Sequence, residues 1–169
     1  MEKYNNFING KWIDSEAKEI IKVEDPATAK VIGEISCAKQ SEVDLAVSAA
    51  KESFNKRILV DMPLLQRAKL MHRIADETRK VAEEGGKLLC YENGKNLAAA
   101  IKEFNDVADM FDYYAGLTDK LEGKTIPVSH NVFDYTVLEP FGVSAHIVHW
   151  NYTLSMIGRS LACSFATGN

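Results

Sequence analysis

The sequence predicts an α/β protein in which long helices are followed by the beginning of a parallel sheet. Three observations predict it. The apolar run 143–148 leads through a short polar loop, His149 to Tyr152, into a helical period from Thr153 to about Thr167 that stops at Gly168-Asn169. Strand, loop and helix in that order open a βαβ unit whose second strand does not follow, which points to a segment of a larger protein. Upstream, apolar residues recur at helical spacing through most of residues 42–115, whereas residues 5–36 alternate short apolar runs with turns.

Taken in order, residues 6–13 read as a hairpin turning at Asn9-Gly10, because a tight two-residue turn needs a left-handed backbone that Asn-Gly adopts at little cost. A further strand is expected over 31–35. From Ser41 the period becomes helical: Val43, Ala46, Val47, Ala50 and Phe54 recur on one stripe. This predicts a helix over 42–55, with Ser41 as N-cap and Asp44 near the positive end of the helix dipole. Pro63 suits the first turn of a second helix, whose buried face is marked by Leu64, Ala68, Met71, Ala75, Thr78 and Ala82, and which Gly85-Gly86 is expected to break. A short helical turn to Tyr91 should stop at Asn93-Gly94. A third long helix then carries Leu97, Ile101, Phe104, Val107, Ala108, Phe111 and Ala115 on one face, with Gly116 near its end.

Residues 123–128 and 132–138 read as two extended segments joined by Ser129-His130-Asn131, an exposed hairpin or arm whose open edge would be an aggregation hazard if unpartnered. No repeat or low-complexity linker interrupts the chain. The expected organisation is residues 1–121, an arm over 122–141, and a strand–loop–helix unit over 142–169.

The 169 residues, 46% hydrophobic and 26% charged, have the composition of a globular protein with a core of its own. No apolar run approaches the ~20 residues of a membrane span, and Met1-Glu2-Lys3-Tyr4 lacks the layout of a signal peptide, so a cytoplasmic protein without membrane contact is expected. A net charge of −4 with both signs interspersed leaves no basic stripe for nucleic acid. Cys37, Cys90 and Cys163 are odd in number and widely spaced, which argues against disulfides or zinc; reduced, mostly buried thiols are expected. His72, His130, His146 and His149 are scattered and complete no catalytic triad, and His146 is expected to be packed inside its strand. Gly142, Gly158 and Gly168 make no dinucleotide fingerprint, and there is no phosphate-binding P-loop.

The series Phe7-Ile-Asn-Gly-Lys-Trp12, Asp25-Pro-Ala-Thr28, Glu92-Asn-Gly-Lys95, Tyr113-Tyr-Ala-Gly116, Glu139-Pro-Phe-Gly142, His149-Trp-Asn151 and Ala166-Thr-Gly-Asn169 resembles the N-terminal part of the NAD(P)-dependent aldehyde dehydrogenase superfamily. The resemblance covers nearly the whole chain but only about the first third of that architecture. It implies the N-terminal part of a Rossmann-like cofactor domain, an oligomerisation arm over 123–140, and oxidation of an aldehyde to a carboxylic acid with NAD or NADP. In such chemistry a thiolate attacks the aldehyde, hydride passes to the nicotinamide and a glutamate-activated water releases the acid. The resemblance places that cysteine and glutamate beyond Asn169, so residues 1–169 alone are expected to be inactive. Two situations fit: a segment of a dehydrogenase, or a short non-catalytic relative acting as an interaction module through its arm.

Asn151 follows the predicted strand at the end where α/β proteins place ligands. A neutral amide there can donate to a developing oxyanion without adding charge, and the resemblance implies that role; a turn or cap residue is the alternative. Ile147, Val148, His149, Trp150 and Asn151 would by the same resemblance line the nicotinamide end of the cofactor cleft, although Trp150 also fits as a core aromatic. Where the family usually has Pro-Trp-Asn-Phe/Tyr-Pro, this chain has His149 and Thr153 in place of both prolines, so the rigidity a fixed φ supplies is missing here. Glu92 matches an acidic residue that in some relatives holds a monovalent cation with the carbonyls near Val23 and Glu24; a solvated helix-end carboxylate is the alternative. Gly94 and Lys95 read as a helix stop and a charge near a negative helix end. A free-standing anion site at the N-terminus of the helix beginning at Thr153 is a third reading, against which stands the missing partner strand of 143–148.

Overall fold

The computed structural model describes residues 2–169. Strands β1 (Glu2–Tyr4), β2 (Asn6–Ile8), β3 (Lys11–Ile13), β4 (Ile20–Asp25) and β5 (Lys30–Ser36) occupy the N-terminal part. The expected hairpin is β2–β3, with Asn6 opposite Ile13 and Ile8 opposite Lys11. Both turn residues are left-handed, Asn9 at φ 51° and Gly10 at φ 75°, which is what a turn matching the strand twist demands. Strand β5 covers the expected 31–35 and pairs parallel with β1 and antiparallel with β4, neither of which the sequence pattern reveals. The β4–β5 turn is held by Asp25, whose carboxylate accepts from the Thr28 hydroxyl at 2.8 Å and the Ala27 N–H at 2.9 Å. These bonds, the Thr28 hydroxyl foremost, hold the buried Asp25 carboxyl below its ordinary pKa.

Helix α1 (Gln40–Asn55) begins earlier than expected, and Ser41 lies inside it. Glu42 in the first turn replaces the expected cap: its Oε2 accepts from the Lys39 N–H at 2.7 Å and from the Ser15 hydroxyl at 2.8 Å. A carboxylate satisfies an orphan N–H and the helix dipole at once, which a serine hydroxyl at position 41 cannot do from within the helix. The apolar stripe of α1 is open: Val43 and Val47 are each about half exposed, and Phe54 is half-buried.

The break after the second predicted helix lies at Val81, ahead of the expected Gly85-Gly86. Helix α2 (Leu64–Lys80) ends at Val81, and α3 (Ala82–Asn93) runs straight through Gly85-Gly86. The glycines serve packing rather than termination. A Cβ at Gly85 would lie 2.2 Å from Cζ of Phe104, and one at Gly86 would lie 2.6 Å from Cγ1 and 3.0 Å from the backbone N of Ile101, so α4 (Leu97–Ala115) sits on a side-chain-free face of α3. Helix α3 stops as expected at Gly94, which is left-handed at φ 73°. Asn96 caps α4 by accepting from the N–H groups of Ala98 and Ala99 at 3.0 and 3.4 Å.

Helices α2 and α4 pack against α5 (Thr153–Ala166) around Met71, Ala75, Val107, Ala108, Phe111, Ala115, Ala162 and Ala166. The many alanines bring the helix axes close. Arg67 on α2 is buried and donates to the carbonyl of Ala166 at 3.0 Å and to those of Leu59 and Val60, tying the turn before α2 to the end of α5. The expected arm is a short antiparallel ladder of β6 (Thr125–Ile126) and β7 (Asp134–Tyr135). Its flanks are solvent-facing, with Phe133 76% and Leu138 63% exposed.

The expected buried strand at 143–148 is corrected. The segment carries no ladder, Ile147 is fully exposed and His146 is exposed rather than packed. A parallel strand is buried only when neighbours and helices cover both its edges and faces, and among the described residues none lies beside this one. The segment is nevertheless anchored at its start, where the Gly142 N–H donates to Asn169 Oδ1 at 2.9 Å. The expected end of α5 at Gly168-Asn169 is present, Gly168 having φ 88°. The cysteines are free as expected but not mostly buried: Cys37 and Cys90 are half-buried and Cys163 is exposed. Among the described residues no helix is long and apolar enough to cross a membrane.

Candidate functional site

The loop between the 143–148 segment and α5 carries the expected residues His149, Trp150 and Asn151, and its backbone is held from two sides. From its own helix, the Thr153 hydroxyl lies within hydrogen-bond distance of the carbonyls of His149 and Trp150, at 3.0 and 2.9 Å. From the α3–α4 connection, Asn93 Nδ2 donates to the Trp150 carbonyl at 3.0 Å and Lys95 Nζ donates to the Asn151 carbonyl at 2.8 Å. Three consecutive carbonyls are thereby engaged by side chains, and an irregular loop without ladder or helix bonds gains a fixed course.

Lys95 is the hub of this arrangement. Its ammonium also lies 3.1 Å from Glu103 Oε1 and 4.2 Å from the centre of the Tyr152 ring, a cation–π contact. The side chains of Lys95 and Glu103 are 12% and 3% exposed, so Lys95, expected from sequence as a charge near a negative helix end, is also a nearly buried ion-pair partner. The contact is electrostatic more than directional, since neither carboxylate oxygen of Glu103 accepts a hydrogen bond among the described residues. Left-handed Gly94 turns the chain so that Asn93 and Lys95, on either side of it, both reach the loop.

Asn151 itself is exposed, and its side-chain Oδ1 is bonded to Nδ1 of His149. Of the other residues expected to line a cofactor cleft, Ile147 is 100% and Trp150 77% exposed, Val148 is half-buried and His149 is exposed. These positions present an open apolar surface next to a neutral amide. Trp150 is therefore not the core aromatic of the alternative reading. Asn93, Lys95 and Glu103 are the members that sequence reasoning did not assign to this site. Asn93 and Lys95 stand in a noted motif, whereas Glu103 carries no local signal.

Glu92 and Val23 line one cavity of about 260 Å³ with Tyr4, Ile32, Gly33, Ile35 and Leu88, between the β4–β5 sheet and α3; Glu24 is not among its walls. Although Glu92 keeps surface exposure, the apolar surroundings desolvate its carboxyl and raise its pKa. Among the described residues no group of three or more His, Cys, Asp or Glu side chains is placed to hold a metal ion. Any cation here would rely on one carboxylate and on backbone carbonyls.

Comparison with known proteins identifies the family and the fold. The sequence model of the aldehyde dehydrogenase family matches residues 12–169. The chain is 35% identical over 163 residues to a hydroxyisobutyraldehyde dehydrogenase of Mycolicibacterium austroafricanum, covering 96% of this chain and 32% of that relative. It is 32% identical over 166 residues to a D-glyceraldehyde dehydrogenase (NADP(+)) of Picrophilus torridus, covering 96% and 33%. Among solved structures, a double mutant of betaine aldehyde dehydrogenase from Staphylococcus aureus in complex with NAD+ superposes with a TM-score of 0.91 at 28% identity, covering 97% of this chain and 33% of that one. The chain thus spans about a third of the length of the curated relatives it matches.

Proposed function

The chain belongs to the aldehyde dehydrogenase family, and on that premise we propose that it contributes to oxidation of an aldehyde to a carboxylic acid with NAD or NADP, Asn151 being its catalytic residue. The observation that carries this reading is the exposed, neutral amide of Asn151 on a backbone pinned by Lys95 at 2.8 Å. When a nucleophile adds to an aldehyde carbonyl, the oxygen becomes negative. A pre-positioned N–H donor stabilises that oxygen more than it stabilises the starting carbonyl. The amide adds no charge of its own that would need neutralising.

NAD(P)+, when bound, supplies the hydride acceptor. The residues proposed to meet its nicotinamide end are Ile147, Val148, His149 and Trp150. The fit is supported by the exposed Ile147 and Trp150 side chains, which offer apolar surface beside Asn151. A monovalent cation bound by Glu92 with the carbonyls of Val23 and Glu24 is a further proposal, supported for Glu92 and Val23 by their shared cavity. The attacking thiol and the general base are proposed to come from outside residues 1–169, in a cytoplasmic enzyme.

In an active enzyme that includes this chain, Asn151→Ala should lower kcat by roughly two to three orders of magnitude with little change in substrate KM. An unchanged kcat would remove Asn151 from the chemistry. Residues 1–169 alone should form no NAD(P)H from any aldehyde; steady turnover would overturn the division of roles.

The exposed apolar flanks of the arm, Phe133 and Leu138, favour a second reading in which residues 123–140 pack against another copy of the chain. Light scattering should then show a larger particle for the parent than for a Phe133→Ser, Leu138→Ser variant. Equal masses would argue against assembly through the arm.

A further inference from the structure

An amide has two chemically different ends, and only the NH2 end can donate to an oxyanion. The backbone bonds from Thr153, Asn93 and Lys95 fix where the Asn151 Cα lies but not which way its amide faces, because the terminal torsion of asparagine is broad and nearly two-fold. Among the described residues the one side chain bonded to that amide is His149, two residues earlier, through Nδ1 to Oδ1. Oδ1 is an acceptor in every state of the amide, so the facing Nδ1 must carry the ring proton; two lone pairs placed there would repel. With Oδ1 so occupied, Nδ2 is turned away from the ring and left to donate elsewhere.

We propose that His149 is a positioning residue that selects the orientation of the Asn151 amide, donating from Nδ1–H to Oδ1 so that the NH2 group faces outward on the pinned loop. The proposal rests on the reading of Asn151 as an oxyanion donor for its purpose, while its geometry is testable without turnover. The device is local: the backbone is fixed by residues brought from α3–α4, and the last free torsion by a ring on the same loop. In a loop that has neither flanking proline, the Thr153 hydroxyl restrains through the carbonyls of His149 and Trp150 the backbone that a fixed φ would otherwise restrain. The neutral Nδ1–H tautomer and the doubly protonated ring both carry a proton on Nδ1, so the same amide orientation suits both forms. In the opposite orientation, the NH2 would donate to a bare Nδ1 and the contact would be lost on protonation.

The test is nitrogen NMR of the residue 1–169 chain, with the Asn151 side-chain NH2 pair assigned by its disappearance in Asn151→Ala. In the parent chain, neutral His149 should be the Nδ1–H tautomer, and the Asn151 NH2 shifts should stay apart from those of a solvated asparagine when the ring carries its second proton. His149→Leu should move both NH2 shifts to those of a solvated asparagine free about its terminal torsion, the two protons staying distinct because the C–N bond itself does not turn. His149→Asn, whose amide nitrogen can stand where Nδ1 stands, should restore the parent shifts, and His149→Gln should not. An Nε2–H tautomer in the parent, or an Asn151 pair unmoved by His149→Leu, would overturn the proposal. Neither result bears on whether Asn151 takes part in turnover, which the kcat of Asn151→Ala decides separately. In an active enzyme that includes this chain, His149→Leu should lower kcat about tenfold, with His149→Asn recovering most of the loss.

Discussion

The ammonium of Lys95 donates to the backbone carbonyl of Asn151 at 2.8 Å across 56 residues of sequence. The same group lies 3.1 Å from the buried carboxylate of Glu103. One side chain therefore settles two accounts: the charge of Glu103 in the helix core and the course of the loop at the candidate site.

Lys95→Met should accordingly have two effects. Leaving a buried carboxylate unpaired should destabilise the fold by about 3–5 kcal/mol, read from urea unfolding, and amide exchange should accelerate in residues 149–153. Combining it with Glu103→Leu should recover most of the stability without restoring loop protection. A single variant as stable as the parent would show that water, not Lys95, compensates Glu103.

Gly86→Ala is expected to destabilise by about 1–3 kcal/mol, although alanine is the better helix former by roughly 1 kcal/mol. The added Cβ would meet both the side chain and the backbone N of Ile101, the latter at 3.0 Å, and the α4 backbone cannot swing aside. Gly85→Ala meets only the ring of Phe104, which is half-buried and can turn, so its cost should be smaller. Thermal unfolding of the two variants side by side checks the order.

Acid should act on the chain through carboxyls of opposite sign. Glu42 is held below its ordinary pKa, first by the Lys39 N–H and then by the Ser15 hydroxyl. Folded, it binds fewer protons than unfolded. Its stabilisation is complete above about pH 5 and fades as pH falls through the folded value. Glu92 is raised by desolvation, so its ionisation costs stability near neutral pH, and the cost disappears as pH falls below the unfolded value. Glu42→Gln should therefore destabilise near neutrality and matter less at about pH 3, while Glu92→Gln should stabilise near neutrality and be neutral at about pH 4. Urea midpoints across that range would refute the assignment if either variant moved the other way.

Much of the fold is legible locally. Asn9-Gly10 and Asn93-Gly94 were readable because left-handed backbone is a property of the residues themselves, and the α4 stripe because its period is long and unbroken. What was not legible depends on partners distant in sequence. Gly85-Gly86 reads as a break until Phe104 and Ile101 are seen against it, and the cap of α1 needs Ser15, which lies 27 residues before Glu42. Strand β4 escaped because only Val23 and Asp25 along it turn inward, leaving no clear alternation of apolar and polar residues. The run at 143–148 misled in the other direction, since apolar composition predicts burial only where something covers it. At the site, Asn151 was readable by resemblance, but Lys95 and Asn93 acquire their roles only once the α3–α4 connection is folded onto the loop.

The bond from the Gly142 N–H to Asn169 Oδ1 closes the last stretch of the chain into a ring. The loop with Asn151 lies on it, and α5 forms one side. Helix α5 is fastened to the rest through the Met71–Phe111 core and Arg67, so a protease that nicks the open segment at 143–148 would cut the peptide without freeing either piece. The severed halves would remain a non-covalent pair, with Lys95 still on one fragment and the carbonyl it grips on the other.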